Sequence, residues 1–173
     1  MKKKALALSS FACVFTLILA GLVFAASLGD PFDGNSLQNP NWQWQNEPDE
    51  WDVGATTAGW LHFVPKTNQN LWASDTTARL YQETDVDKFD VETHLVVDYA
   101  ADCVVAGIVA YGPQEDNWTT LKLWGRAGDA IIQWQHKQSE VVPNVPGSSQ
   151  PAGRVEVYIR MAKDGDNYMG WWK

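Results

Sequence analysis

The sequence predicts an all-β chain folded as a two-sheet antiparallel β-sandwich of the jelly-roll kind, and three observations predict it. After residue 26 no stretch sustains an apolar period of 3.6, so helices are not expected. Several stretches instead alternate apolar and polar residues with a period of two. Turn-forming residues separate them at Asp33-Gly34-Asn35, Gly112-Pro113, 125–129 and Asp164-Gly165-Asp166. Many short strands with regular turns suit two packed sheets better than one open sheet.

Short strands are expected at 42–46, 59–64 and 79–82, where aromatic and branched residues gather between polar turns. The clearest strand is 89–99, with Phe89, Val91, Thr93, Leu95, Val97 and Tyr99 on one face and Asp90, Glu92, His94, Val96 and Asp98 on the other. The first of these faces is core. Residues 104–111 are apolar on both sides, as in a central strand, and Gly107 marks a bulge or a close backbone approach. In 118–124, Leu121 and Leu123 alternate with Trp118, Thr120, Lys122 and Trp124. In 131–136, Ile132, Trp134 and His136 alternate with Ile131, Gln133 and Gln135, and either face suits a core. Val155, Val157, Ile159 and Met161 oppose Arg154, Glu156, Tyr158 and Arg160 in a half-buried antiparallel strand over 154–162, and a last strand is expected at 167–172. Residues 142–153, with Pro143, Pro146, Gly147, Pro151 and Gly153, are expected to form a loop.

Lys2, Lys3 and Lys4 precede an apolar run over 5–24, and Val23 and Ala25 fit a small-residue cleavage site. Residues 1–26 are therefore expected to be a secretory signal peptide and 27–173 one domain, secreted, periplasmic or on the cell surface. The run also has about the ~20 residues of a spanning helix, so a retained anchor is the rival reading. Cys13 lies in the middle of that run, and Ser10-Phe11-Ala12 before it makes a poor lipobox.

Removing the three lysines takes the formal charge from −8 to −11. An acidic chain without a Lys/Arg cluster excludes nucleic acid, and after signal cleavage an anionic membrane surface, as partners. Cys103 is the single cysteine after the leader, which excludes a disulfide framework and a thiolate metal site and suggests a small buried hydrophobe. All ten tryptophans fall after the leader, an excess that core filling alone does not require.

Asp30-Pro31-Phe32-Asp33-Gly34, then Trp42-Gln43-Trp44-Gln45-Asn46-Glu47-Pro48 and Trp51, resemble the opening of the concanavalin A-like lectin/glucanase superfamily. The resemblance narrows to the branch holding the domain of unknown function 1349 and the accessory, LamG-like jelly-roll domains of family 43 β-xylosidases. Later segments agree in order: Gly59-Trp60-Leu61, Phe89-Asp90-Val91-Glu92-Thr93, Ala106-Gly107-Ile108-Val109-Ala110-Tyr111, Asp116-Asn117-Trp118 and Val157-Tyr158-Ile159-Arg160. It covers residues 30–173 and implies a jelly roll with a concave face that receives sugar in many relatives. Such relatives continue past the strand holding Tyr168-Met169-Gly170-Trp171-Trp172, so the chain reads as a fragment or as a sandwich lacking edge strands.

Glycoside hydrolysis needs two carboxylates about 5 to 9.5 Å apart. The Glu-x-Asp-x-x-Glu strand motif of the superfamily's hydrolases is absent. Glu47-Pro48-Asp49-Glu50 falls in a proline-broken turn, and Glu92 and Asp98 stand roughly 20 Å apart along one strand. No Gly-x-Ser-x-Gly occurs, and His62, His94 and His136 form no metal signature. No catalytic residue or cofactor is assigned. A calcium ion on Asp30 or Asp33 with loop carbonyls is the one cofactor left open.

Sugars present apolar C–H faces ringed by hydroxyls, and proteins meet them with aromatic rings and planar polar groups. If Leu121 and Leu123 point into the core, Trp118 and Trp124 point out of it. Trp60 and His62 likewise oppose Leu61 and Phe63, and Glu92 and His94 oppose the apolar face of their strand. The candidate ligand-binding residues are Trp44, Glu47, His62, His94, Trp118, Trp124, Trp134 and His136, together with Arg79 and Gln82, whose strand the resemblance sets beside the concave face. The function expected is a non-catalytic carbohydrate-binding or surface module with a polysaccharide or glycan as partner. A hydrolase or lyase on the same fold and a structural or adhesion sandwich are the alternatives.

Overall fold

The computed structural model describes residues 28–98, 103–113, 117–126, 128–137, 144–151 and 153–173. The expected leader lies outside the described residues. Within them the chain forms eleven strands and no helix: β1 (Gln43–Gln45), β2 (Glu50–Val53), β3 (Leu61–Val64), β4 (Arg79–Tyr81), β5 (Lys88–Asp98), β6 (Val104–Tyr111), β7 (Trp118–Arg126), β8 (Asp129–Lys137), β9 (Asn144–Pro151), β10 (Arg154–Asp164) and β11 (Asn167–Trp172).

All pairings are antiparallel. One sheet runs β11-β10-β5 and the other β6-β7-β8-β9, while β1-β4 and β2-β3 form two-stranded ribbons. The two larger sheets face each other across one cluster. Val155, Val157, Ile159 and Met161 of β10 meet Leu121 and Leu123 of β7 and Ala130 and Ile132 of β8, all buried. Phe89, Leu95 and Val97 of β5 pack on the same cluster, as the period-two pattern predicts. Each fully buried Leu, Ile or Met contributes roughly 1.5–3 kcal/mol, so this seam is the main source of stability.

Gly107 is a close approach and not a bulge. It pairs in unbroken register with Lys122, and a Cβ there would lie 2.4 Å from the Leu121 carbonyl oxygen and 2.6 Å from Lys122 Cα. Those are backbone atoms held in the sheet, so a side chain at this position has nowhere to go.

Two local expectations fail. Residues 144–151 form a strand and not part of a loop: among the described residues β9 pairs with β8 alone, and on such an edge a proline's missing N–H removes little. Between Ile131 and Gln133 the β8-β9 register shifts by one, with the extra residue on β9. The turn expected at Glu47-Pro48-Asp49-Glu50 leads into β2, whose Trp51 pairs with Phe63. Cys103 is exposed: it sits at φ 66° ahead of β6, with its N–H on the Gly125 carbonyl at 2.8 Å.

Candidate functional site

Because Leu121 and Leu123 enter the core, alternation sends Trp118, Thr120, Lys122 and Trp124 to the opposite surface of β7. On β8 the ambiguity resolves in the same way. Ile132 is wholly buried in the core, so Gln133 and Gln135 lie on the outer surface, in register with Lys122 and Thr120. On β6, Tyr111 pairs with Trp118 and the side-chain-free Gly107 stands beside Lys122.

This surface is unusually polar for its burial. Lys122 is 8% exposed, Gln133 3% and Gln135 6%. The Lys122 ammonium donates to Gln135 Oε1, and burial pulls its pKa down to about 8. Gln133 Oε1 is buried without a hydrogen-bond partner among the described residues. Thr120 Oγ1 donates to the Ile108 carbonyl at 2.8 Å.

A second polar cluster adjoins at Trp118. Arg79, at the start of β4, donates through Nη2 to Asp75 Oδ2 at 3.1 Å and through Nη1 to both Asp75 and the Tyr111 hydroxyl. Its guanidinium carbon also stands 4.6 Å from the centre of the Tyr111 ring. Tyr111 in turn donates to Asp75 Oδ1 at 3.1 Å. Burial of the phenol first, and the neighbouring Asp75 charge after it, push the Tyr111 pKa well up against the opposing pull of Arg79.

The aromatic part of the site differs from expectation. Trp118 is only 4% exposed and lies edge-to-face with Trp72, ring centres 6.4 Å apart. Trp72 is 47% exposed and is the ring open to solvent. Trp124 is half-buried, with the Arg126 guanidinium 5.8 Å from its ring centre, and Arg126 is paired to Asp129. Sequence reasoning missed Trp72, Asp75, Tyr111, Lys122, Gln133 and Gln135 as site residues. The one signal for Trp72 was an indole among the Asn, Ser and Thr residues of 67–77.

The structure therefore brings Arg79, Trp118 and Trp124 to this side of the molecule and places the other expected residues elsewhere. Trp134 belongs to the core: its ring reaches across to β11, where a Cβ on Gly170 would lie 2.5 Å from Cζ3. Its assignment as a ligand contact is corrected for that reason. His136 shares the core-side parity of Trp134, opposite Thr119. Trp44 packs against Trp51 and Phe63, centres 5.4 and 5.7 Å away, and Glu47 holds the Trp51 indole N–H at 2.7 Å. His62 lies 3.6 Å from Asp52 on the β2-β3 ribbon. Gln82 donates to the Leu28 carbonyl at 2.8 Å. His94 is on the outer face of the other sheet, stacked on Tyr158 at 4.0 Å and bonded to Glu156 at 2.9 Å. Among the described residues no three His, Cys, Asp or Glu side chains are grouped to hold a metal ion. Both Asp30 oxygens accept backbone N–H groups, from Phe32 at 2.9 Å and from Gln38 and Asn39 at 2.7 and 3.0 Å.

A family model for the β-xylosidase C-terminal concanavalin A-like domain matches residues 29–170, most of the chain, from ahead of β1 into β11. The chain belongs to this family. Solved structures agree on the fold. A crystal structure of the GH43 protein BlXynB from Bacillus licheniformis matches with TM-score 0.64 at 14% identity, and one of a point mutant of the same protein with 0.60 at 16%. Each match covers 83% of this chain and 27% of the longer one, so this β-xylosidase C-terminal-type domain corresponds to about a quarter of those proteins. No curated protein matches the chain.

Proposed function

We propose that this domain is an exported, non-catalytic carbohydrate-binding module, whose ligand lies against Trp72 and Trp124 and is read by polar groups on the non-core face of β7 and β8. The observation that carries the reading is the company kept on that face: Trp118, which an exposed indole, Trp72, covers, shares its strand face with Lys122 and, across to β8, with Gln133 and Gln135. Flat rings for C–H faces and planar amides for hydroxyls are what a sugar requires. Asp75, the carboxylate in the Arg79 cluster, is committed to Arg79 and Tyr111, which disfavours a role in proton transfer. The module is read as released to the outside by the leader at 1–26.

The test is a polysaccharide pull-down and glycan array with the protein from residue 26 onward, with and without calcium to probe the Asp30 and Asp33 loop. Retention on at least one glycan, lost in Trp72→Ala or Trp124→Ala with the fold intact, is the expected result. A folded protein retained by none of them refutes the reading. A second reading is favoured by Met169 and Trp171, each more than 40% exposed and on the same face of β11. They suit a face that packs on a neighbouring domain or another protein.

A further inference from the structure

Resting on the carbohydrate-binding reading, we propose that the β7-β8 face is built for an acidic glycan, with a uronate carboxylate pairing with Lys122 and a ring hydroxyl donating to Gln133. Three observations carry it. Lys122 is 8% exposed, and its ammonium contacts a neutral amide oxygen, that of Gln135. No acidic side chain pairs with it among the described residues, whereas both arginines nearby are matched, Arg79 by Asp75 and Arg126 by Asp129. Gln133, 3% exposed and directly in register with Lys122, keeps a buried carbonyl oxygen without a donor.

A buried charge is normally paired, and a buried acceptor is normally hydrogen-bonded, because leaving either alone forfeits hydration without replacement. Here an uncompensated cation and an unused acceptor sit side by side, in a chain whose net charge is −8. An ammonium carries three donors, of which Gln135 takes one, so two are free for a carboxylate. A neutral sugar supplies the hydroxyl for Gln133 but nothing for the charge. A uronate supplies both on one ring. The absence of a Cβ at Gly107 leaves the Lys122 stem uncrowded on its β6 side, where a side chain would displace it.

The titratable and charged groups on the same surface are Tyr111 of β6, Arg126 of β7, Asp129 and Lys137 of β8, and Asp75 and Arg79 beside Tyr111. Burial pulls the Lys122 pKa down to about 8, so alkaline pH removes its charge.

The experiment is titration calorimetry of the full domain with galacturonate tetramer, with the methyl ester of the same tetramer, and with neutral xylotetraose, at pH 7 and pH 9.5. The acid is expected to bind at least about tenfold tighter than its ester at pH 7, the usual scale of a charge-assisted hydrogen bond. That preference should vanish in Lys122→Met and shrink at pH 9.5 in the unaltered protein, which decides the matter even if the variant misfolds. Equal binding of acid and ester, or an acid preference that survives both changes, overturns the inference and leaves the carbohydrate-binding reading standing. A folded protein that binds none of the three, nor any glycan on the array, overturns both.

Discussion

Replacing Lys122 by Met should make the unliganded domain more stable at neutral pH, although it deletes a hydrogen bond. The folded-state pKa of about 8 lies below the 10.5 of an unburied lysine. At pH 7 the group is protonated in both states, so the full penalty for burying the charge is present. With each pKa unit worth 1.36 kcal/mol, that penalty is about 3 kcal/mol. Between pH 8 and 10.5 the unfolded chain holds a proton that the folded one has lost, so Lys122 makes stability rise with pH across that window. Met keeps most of the stem's packing and removes the charge, but strands Gln135 Oε1, at about 1–2 kcal/mol. The net expectation is a gain of about 1–2 kcal/mol at pH 7, with the advantage of Met shrinking and then reversing towards pH 10. Urea unfolding followed by tryptophan fluorescence, for both proteins at pH 7 and 9.5, reads this difference, and other lysines cancel in the comparison. A loss of more than 1 kcal/mol at pH 7, or a difference independent of pH, would refute the reasoning that the ammonium is an uncompensated buried charge.

Gly107→Ala should lower stability by about 1–3 kcal/mol, since the added methyl meets sheet backbone and not a flexible side chain; thermal unfolding measures it. Trp118→Ala should cost about 3–5 kcal/mol, while Trp72→Ala at the exposed ring above it costs far less, so denaturant midpoints of the two variants should separate. Asp30 resists burial, which raises its pKa, through backbone N–H bonds from Asn39, Phe32 and Gln38 that bring it below 3.8. Its contribution is therefore complete above pH 3.8 and lost as pH falls through the lower folded value, and hydrogen exchange of the Gln38 and Asn39 amides should accelerate there. Asp30→Asn should remove that pH dependence.

The sandwich was legible because β5 and β10 bury one face and solvate the other, and a period of two is then written directly into the residues. The β10 assignment of Val155, Val157, Ile159 and Met161 to the core follows from nothing else. Where both faces of a strand are buried the pattern goes silent. In β8, Ile131 and Ile132 are both buried, so sequence alone did not decide that Trp134 faces β11 and Gln133 faces outward. The site was hidden for a related reason. Lys122, Gln133 and Gln135 read as solvent-facing by composition, and only the pairing of three neighbouring strands shows them buried together. Trp72 and Trp118 stand far apart in sequence, and their contact depends on how the polar segment at 67–77 lies over β7.

The prolines of β9 bear on how the domain behaves at high concentration. Pro146 and Pro151 lie on a strand that, among the described residues, pairs with β8 alone, and neither can donate to an incoming strand, so the row of N–H groups offered for extension is interrupted. Growth of this sheet outward, copy upon copy, is blunted at that border. Whatever sits beside β9 in a longer polypeptide or a crowded solution meets a broken ladder there.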